Sequence, residues 1–339
     1  MGEVKKILVV DLAFIGDAVL KAPVLRAIKA RYPTAELTLL VTPLTKPIAE
    51  MLPAVDRVMT YDKKGADKGF WRMLRLGLGL RKERFDIGFS LNFALRGSLL
   101  LFLAKIPIRV GYKAQHAELF LTHTQPSERS KIQHETLNHL EILQPLAILP
   151  QSTDLELVPP PVALASFEQK AQALSLLGTY FAICPLGSYE RKNLPPAVVK
   201  AMIAKYPNSY LIGGNGEKAR LGELAAACNL PPERVLAGAF DLQELAVFLQ
   251  KARLVLTADT GPLHIAAAVG AKVVALFGPT DPAIWGAMGD CAYNFYQKAD
   301  CSPCWNRTEC SANYCMDFQA EAVLAKVEEL LADGGGENG

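Results

Sequence analysis

Six consecutive residues, 259–264, have the chemistry of an anion-binding turn. Asp259 and Thr260 are favourable residues at the N-cap of a helix, and Gly261 permits the backbone angles of a sharp turn. Pro262 suits the first helical position, where its missing N–H costs nothing. The free N–H groups and the positive end of the helix dipole attract anions. The segment therefore predicts a phosphate-binding site.

The segments on either side predict the elements that hold this turn. Residues 254–256 are a short apolar run typical of a buried strand, and an alanine-rich helix follows the turn until Gly270 ends it. A second strand is predicted over Val273–Phe277. This order of strand, turn, helix and strand is the one with which an α/β sheet binds phosphate at its carboxyl edge.

Length and composition are those of a folded chain with about two domains. The chain has 339 residues, 50% of them hydrophobic, and we find no run of about 18 uncharged apolar residues that would predict a membrane span. We expect no signal peptide and a cytoplasmic protein. Residues 1–160 carry 22 Lys and Arg against 16 Asp and Glu, out of 36 and 34 in the whole chain. This excess favours an anionic partner for the first half, although ordinary surface variation would also produce it.

Three blocks of sequence together resemble the signature of glycosyltransferase family 9, the bacterial ADP-heptose:lipopolysaccharide heptosyltransferases. They are Asp-Thr-Gly-Pro-Leu-His at 259–264, Ala-Ala-Ala-x-Gly at 266–270 and Ala-Leu-Phe-Gly-Pro-Thr at 275–280. The resemblance implies an α/β protein of the GT-B fold, with two Rossmann-like domains whose parallel sheets face each other across a cleft. It also implies inverting transfer of heptose from ADP-heptose to an inner-core lipopolysaccharide acceptor, most like the heptosyltransferase II members.

The proline-rich residues 158–162 predict an interdomain linker. By resemblance, residues 1–160 bind the acceptor and carry the catalytic base, and residues 161–333 bind the nucleotide-sugar donor. Residues 334–339 are expected to form a disordered tail. Two alternatives stay open: a family 9 transferase that uses another sugar or a protein acceptor, and a non-catalytic nucleotide-sugar or metal-binding scaffold.

A glycine–aspartate pair in the first loop is the candidate catalytic site. A strand at 6–10, a helix at 18–32 and a strand at Glu36–Val41 form a predicted βαβ unit. Its first loop lacks the Gly-x-Gly-x-x-Gly pattern of a dinucleotide site. The resemblance makes Asp17 the general base, and one carboxylate suffices because the leaving group is already a good one. Asp17 could instead only cap the first helix.

The resemblance assigns the donor to the second half. Two groups of residues would contact its diphosphate: Ser188 and Lys192 in one loop, and Thr260, Gly261, Pro262, Leu263 and His264 in the predicted turn. Asp259 would hold sugar hydroxyls, and Glu217 would hold ribose hydroxyls. From the residues alone, Lys192 could be a solvated lysine, and Glu217 could balance a helix dipole.

A basic helix is predicted over residues 70–84, shortly after Lys63 and Lys64. Such a helix can rest on an anionic membrane surface, or it can simply present a charged outer face to water. In family 9 the corresponding region faces a phosphorylated lipid acceptor. The resemblance therefore makes Lys63 and Lys64 candidate contacts with acceptor phosphates and implies a peripheral position on the inner membrane. No nucleic acid is expected as a partner.

Four of the seven cysteines are clustered near the end of the chain. They are Cys301, Cys304, Cys310 and Cys315. Four thiolates could hold structural zinc or iron, although the spacing fits no standard finger and free thiols are the alternative. Transfer itself needs no cofactor where cationic groups bind the diphosphate. Four of the five histidines are expected to be surface or packing residues: His116, His123, His134 and His139.

Overall fold

The computed structural model describes residues 3–128, 130, 132–176, 178–305, 310 and 314–332. The chain divides into two compact units, Met1–Val158 and Pro159–Gly339, and the boundary falls within the proline-rich segment. The described part of each unit contains one six-stranded sheet in which all neighbouring strands are parallel. The expected tail, residues 334–339, lies outside the described residues.

The first unit has the strand order of a doubly wound Rossmann sheet. Its strands are β1 (Lys6–Asp11), β2 (Glu36–Val41), β3 (Arg57–Thr60), β4 (Ile87–Ser90), β5 (Ile108–Lys113) and β6 (His123–Pro126). Its helices are α1 (Ile15–Leu20), α2 (Ala22–Arg31), α3 (Lys46–Ala49), α4 (Phe70–Leu80), α5 (Leu95–Leu103) and α6 (Glu135–Leu140). The order across the sheet is β3-β2-β1-β4-β5-β6. The chain therefore changes direction of winding between β1 and β4, and doubly wound sheets bind ligands at this kind of position.

The second unit repeats this topology. Its strands are β7 (Phe181–Cys184), β8 (Ser209–Gly213), β9 (Val235–Ala237), β10 (Leu254–Ala258), β11 (Val273–Phe277) and β12 (Ala292–Tyr296). Its helices are α7 (Pro161–Ala173), α8 (Pro196–Lys205), α9 (Lys218–Ala227), α10 (Leu242–Lys251), α11 (Gly261–Ala268), α12 (Pro282–Trp285) and α13 (Ala320–Ala332). The order is β12-β11-β10-β7-β8-β9, so the equivalent change of winding lies between β7 and β10.

The predicted helices are present, but proline and backbone geometry shorten two of them. The helix predicted over 18–32 is two helices, because Pro23 lies in the first turn of α2 and cannot donate to a continuous helical ladder. The helix predicted over 70–84 ends with α4; a short 3-10 turn follows, and Arg84 takes a left-handed conformation with φ 57°. Across the described ranges, the helices are too short or too polar to cross a bilayer.

Candidate active site

A pocket that contains Asp17 lies at the change of winding of the first sheet. Its volume is about 320 Å³, and its walls come from residues 12–14, Asp17, Lys21, Lys63, residues 91–94, Arg96, Gly97 and His139. The two main loops of the pocket leave the carboxyl ends of β1 and β4, which are neighbours in the sheet. The topology thus brings the predicted catalytic residue to the usual ligand-binding edge of a doubly wound sheet.

Asp17 is the third residue of α1 and is half-buried. The N-cap of α1 is Phe14, whose C=O accepts a hydrogen bond from Ala18 N at 3.0 Å, and no side chain caps this helix. The alternative reading of Asp17 as the N-cap is therefore wrong.

A buried ion pair lies beside Asp17. Lys21 Nζ is 2.7 Å from Asp11 Oδ1, and the two side chains are 3% and 5% exposed. Asn92 Nδ2 donates to the same oxygen at 3.1 Å, and Asn92 Oδ1 accepts from Leu12 N at 2.6 Å. These contacts tie the end of β1, the end of α1 and the loop after β4 together. The segment from Leu12 to Lys21, which contains Asp17, is thereby held at both ends.

Cationic side chains surround the same pocket. Lys63 Nζ donates to the C=O of Leu12 at 2.7 Å. Burial lowers the pKa of Lys63, and the nearby charge of Arg96 lowers it further. Lys64 is exposed and lines an adjoining cavity of about 340 Å³ instead. Lys63 and Arg96 therefore border the Asp17 pocket, and Lys64 stands next to it.

His139 is a wall of the Asp17 pocket that sequence reasoning left among the packing residues. It is 3% exposed, and its Nε2 lies 3.9 Å from the carboxylate of Glu135 one turn earlier in α6. The prediction of a packing residue is correct as far as burial goes. The sequence around His139 does not indicate that this residue lines the pocket, because its position there depends on where α6 packs in the folded unit.

In the second unit, three strand ends bring Lys192, Asp259 and Thr280 together. Lys192 Nζ lies 2.5 Å from Asp259 Oδ2, and Thr280 Oγ1 donates to the same oxygen at 2.6 Å. The side chains of Lys192 and Asp259 are 12% and 8% exposed, so the alternative reading of Lys192 as a solvated lysine is wrong. Thr280 belongs to the third signature block, yet no role was predicted for it.

The loop after β7 is shaped to hold Lys192 in this position. A Cβ at Gly187 would lie 2.4 Å from Lys192 Cβ, so this close approach needs glycine. Asn193 Oδ1 accepts from Gly187 N at 3.0 Å and closes the loop. Lys192 Nζ also lies 5.1 Å from the ring centroid of Tyr189. Ser188, in the same loop, is exposed.

The predicted phosphate turn is present at the start of α11, and its residues differ in exposure. Thr260 is the N-cap, without a side-chain hydrogen bond, and Thr260 and Gly261 are half-buried. Pro262 occupies the first turn and is also half-buried. Leu263 is 0% exposed, and its N–H already bonds Thr260 O at 3.0 Å; His264 is 4% exposed. The accessible part of the turn is therefore Thr260, Gly261 and Pro262.

Glu217 has a structural contact of its own. It is the N-cap residue of α9, and its Oε2 accepts a hydrogen bond from Gly214 N at 2.7 Å. A Cβ at Gly213 would lie 2.7 Å from the same oxygen, so the carboxylate is folded closely over the glycine turn. One oxygen of Glu217 thus stabilises the backbone at the carboxyl end of β8.

The cysteine segment packs beside the loops that follow β7 and β11. Arg191 donates to Cys304 Sγ at 3.8 Å, and Trp305 N donates to Pro279 O at 3.0 Å. Cys301 and Cys310 are exposed, whereas Cys315 is 1% exposed and burial raises the pKa of its thiol. No group of three or more potential ligands is arranged to hold a metal among the described residues, which include all four cysteines. The arrangement does not fit the predicted zinc or iron site.

The sequence profile of glycosyltransferase family 9 (heptosyltransferase) matches residues 73–315. The chain belongs to glycosyltransferase family 9. This family 9 chain is 22% identical to lipopolysaccharide heptosyltransferase 2 of Salmonella typhimurium, in an alignment that covers 97% of the chain and 99% of the relative. The resemblance seen in the signature blocks is thereby confirmed, and the chain is a glycosyltransferase.

Solved structures of family 9 proteins share the fold. A family 9 glycosyl transferase from Veillonella parvula superposes with a TM-score of 0.85 at 19% identity, covering 97% of this chain and 98% of that one. Escherichia coli ADP-heptose lps heptosyltransferase II gives 0.80 at 21% identity, covering 97% and 99%. Escherichia coli heptosyltransferase WaaC with ADP gives 0.72 at 19% identity, covering 96% and 99%. These similarities confirm the predicted GT-B fold.

Proposed function

We propose that this family 9 glycosyltransferase transfers heptose from ADP-heptose to an inner-core lipopolysaccharide acceptor and inverts the anomeric centre. The observation that carries the proposal is the family match, which spans the lysine loop and the 259–264 turn. A relative named lipopolysaccharide heptosyltransferase 2 aligns over nearly the whole of both chains, and a structural neighbour was solved with ADP. The acceptor unit is residues 1–160, and the donor unit is residues 161–333.

Asp17 is the general base of this mechanism. Its carboxylate takes the proton of an acceptor hydroxyl, and the oxygen attacks the anomeric carbon from the side opposite the diphosphate. The bond between that carbon and the phosphate oxygen breaks, and ADP leaves with the electron pair. One displacement inverts the centre, and it needs no second carboxylate because ADP is a good leaving group.

Lys192 neutralises the charge that develops on the departing ADP. It is the cation nearest to Asp259, and its ammonium can turn from that carboxylate to the diphosphate while Thr280 still donates to Asp259. The N–H of Gly261, the positive end of the α11 dipole and the hydroxyls of Ser188 and Thr260 complete the anion site. Pro262 fixes the backbone in the first turn of α11, and the buried side chains of Leu263 and His264 pack behind this turn.

The sugar hydroxyls of the donor are assigned to Asp259, and the ribose hydroxyls to Glu217. Both side chains stand at carboxyl ends of strands in the second sheet, where nucleotide hydroxyls meet acidic residues in related α/β folds. On the acceptor side, Lys63 binds a phosphate together with Arg96, and Lys64 does so from the adjoining cavity. The enzyme then works at the inner membrane surface, where a lipid-linked acceptor is found.

The nucleotide is tested by thermal unfolding with ADP, UDP, GDP and NAD. A ligand that binds only the folded protein adds about 2.7 kcal/mol at 100 times its dissociation constant. We expect ADP to raise the melting temperature by roughly 5–10 °C at that concentration. The other three nucleotides should give smaller shifts. A preference for UDP or GDP would exclude ADP-heptose as the donor, and no response to any of them would favour the scaffold alternative.

Replacement of Lys192 by Met should lower kcat/KM for ADP-heptose by roughly 10²-fold, because a charge-stabilising donor to the leaving group is lost. The substitution also leaves the buried Asp259 carboxylate without its cation, so a fall in melting temperature is expected as well. Lys205→Met, which removes an exposed lysine of the same unit, is the control. The measurement is steady-state kinetics with ADP-heptose. If Lys192→Met turned over ADP-heptose at the normal rate, Lys192 would have no role in the transfer step.

A further inference from the structure

One face of α4 is buried against the rest of the first unit. Met73, Gly77 and Leu80 are its buried residues. A Cβ at Gly77 would lie 2.6 Å from Leu103 Cβ, so glycine lets α4 pack directly against α5. The rotation of α4 about its own axis is therefore fixed. The residues that point away from the unit are fixed with it.

The opposite face of α4 carries large apolar side chains and cations in one row. Successive residues turn by about 100° around a helix, which places Trp71, Arg75 and Leu78 opposite the buried face. Lys82 extends the row into the 3-10 turn that follows. Trp71 is 77% exposed and Leu78 is 49% exposed. Phe70, 60% exposed, lies edge-on to Trp71 with their ring centroids 5.6 Å apart.

From Lys68 to Lys82 the charge has one sign, while Asp67 and Glu83 at the two ends of this stretch line a cavity with Arg72 and Arg75. Between residues 68 and 82 the sequence contains five cations and no Asp or Glu; the cations are Lys68, Arg72, Arg75, Arg81 and Lys82. None of them has a carboxylate within 4 Å in the part of the chain that the structure describes. Single exposed apolar residues are ordinary on protein surfaces. Three of them beside unpaired cations on one helix are the pattern of an interfacial helix.

We propose that the outer face of α4, residues 70–82, docks on an anionic lipid bilayer. The aromatic and leucine side chains enter the headgroup region, while Arg72, Arg75 and Lys82 contact lipid phosphates. A charged outer face in water, the other reading of the sequence, would give no reason for Trp71 and Leu78 to occupy the position farthest from the core. The inference does not depend on which sugar or acceptor the enzyme uses.

The topology gives this docking surface a consequence for the active site. β3 runs parallel to β1, so both strands end at the same edge of the sheet. α4 starts after the loop that leaves β3, and its first residues, Phe70 and Trp71, therefore belong to the edge that carries Asp17 and Lys63. Docking through α4 brings this edge to the bilayer. A lipid-linked acceptor then reaches the pocket without leaving the membrane.

The test is co-sedimentation of the full chain with vesicles of phosphatidylglycerol and phosphatidylcholine in equal parts. We expect binding that weakens with salt and is absent with pure phosphatidylcholine. Trp71→Ser/Leu78→Ser should weaken partition at least about tenfold. Arg75→Gln/Lys82→Gln should weaken it roughly 30-fold. The matched controls remove exposed apolar residues elsewhere, Leu149→Ser/Val162→Ser, or exposed cations elsewhere, Arg31→Gln/Lys105→Gln.

Three outcomes would overturn the proposal. In the first, the parent protein does not bind anionic vesicles. In the second, the α4 variants bind as well as the parent. In the third, the control variants lose as much vesicle binding as the α4 variants. Light scattering tests a different occupant: a dimer of the parent that Trp71→Ser/Leu78→Ser dissociates would make this face an interface between two copies. The rise in melting temperature with ADP is measured in parallel and should be the same in every variant. A variant that has lost this rise is misfolded, and a parent protein without it fails the proposed function but not the docking test.

Discussion

Asp17→Asn is expected to lower kcat for heptose transfer by roughly 10²- to 10⁴-fold, the range that a positioned general base contributes. The amide has the size of the carboxylate but cannot accept the hydroxyl proton. Binding of ADP should not change, because the donor contacts proposed here lie in the second unit. The measurement is the rate of ADP release from ADP-heptose in the presence of acceptor, together with an ADP titration by calorimetry.

A pH profile distinguishes a base from a residue that only shapes the pocket. A general base works when deprotonated, so the kcat/KM of the parent should fall as the pH drops through the pKa of that base. Asp17→Asn should lose this acidic limb. Glu128→Gln removes an exposed carboxylate of the same unit and should leave both the rate and the profile intact. Full transfer by Asp17→Asn would show that another group takes the proton.

The sheets were the most predictable part of this fold. Apolar runs bounded by glycine and proline indicate strands directly, and the bounds predicted for β2 and β11 are those observed. Helix ends were less predictable. Pro23 divides a helix that periodicity alone would continue, and the helix predicted to reach Arg84 ends at Leu80, where a 3-10 turn begins. Such ends depend on the local backbone, which the hydrophobic period does not report.

The contacts within the candidate site could not be predicted in the same way. Lys192 and Asp259 are 67 residues apart in the sequence, and they meet because β7 and β10 are adjacent in the sheet. The family resemblance named both residues but not their pairing. Thr280 joins them for the same reason, since β11 is the other neighbour of β10. Strand order is a property of the whole unit, and no short motif contains it.

The buried ion pair of the first unit was even harder to predict from the sequence than the contacts of the candidate site. Asp11 ends an apolar strand, where a lone carboxylate is normally the first residue of a loop, and Lys21 follows an apolar helical turn. Both are 5% exposed or less as side chains, and each is the other's partner. A buried charge is tolerated only with a partner. The sequence does not identify that partner, because the pairing depends on how α1 packs against β1.

Lys21→Met is expected to lower the free energy of unfolding by about 3–5 kcal/mol, the usual cost of breaking a buried ion pair from one side. The methionine fills the space of the lysine stem, but the carboxylate of Asp11 stays buried and, among the described residues, keeps the hydrogen bond from Asn92 without the ion pair. Thermal unfolding measures the loss. Hydrogen exchange in peptides that contain β1 and α1 assigns the loss to the first unit rather than to the second.

Two further variants separate the buried charge from the mere loss of a lysine. Lys46→Met breaks an ion pair with Glu50 whose side chains are 50% and 39% exposed, and it should cost no more than about 0.5 kcal/mol. Asp11→Asn/Lys21→Met removes both charges while an oxygen stays available to Asn92, so it should be more stable than Lys21→Met alone. If Lys21→Met cost no more than Lys46→Met, the ion pair would not stabilise the α1 segment that contains Asp17. If it does cost the expected amount, kcat should fall as well, because Asp17, the proposed general base, lies in the helix that Lys21 anchors.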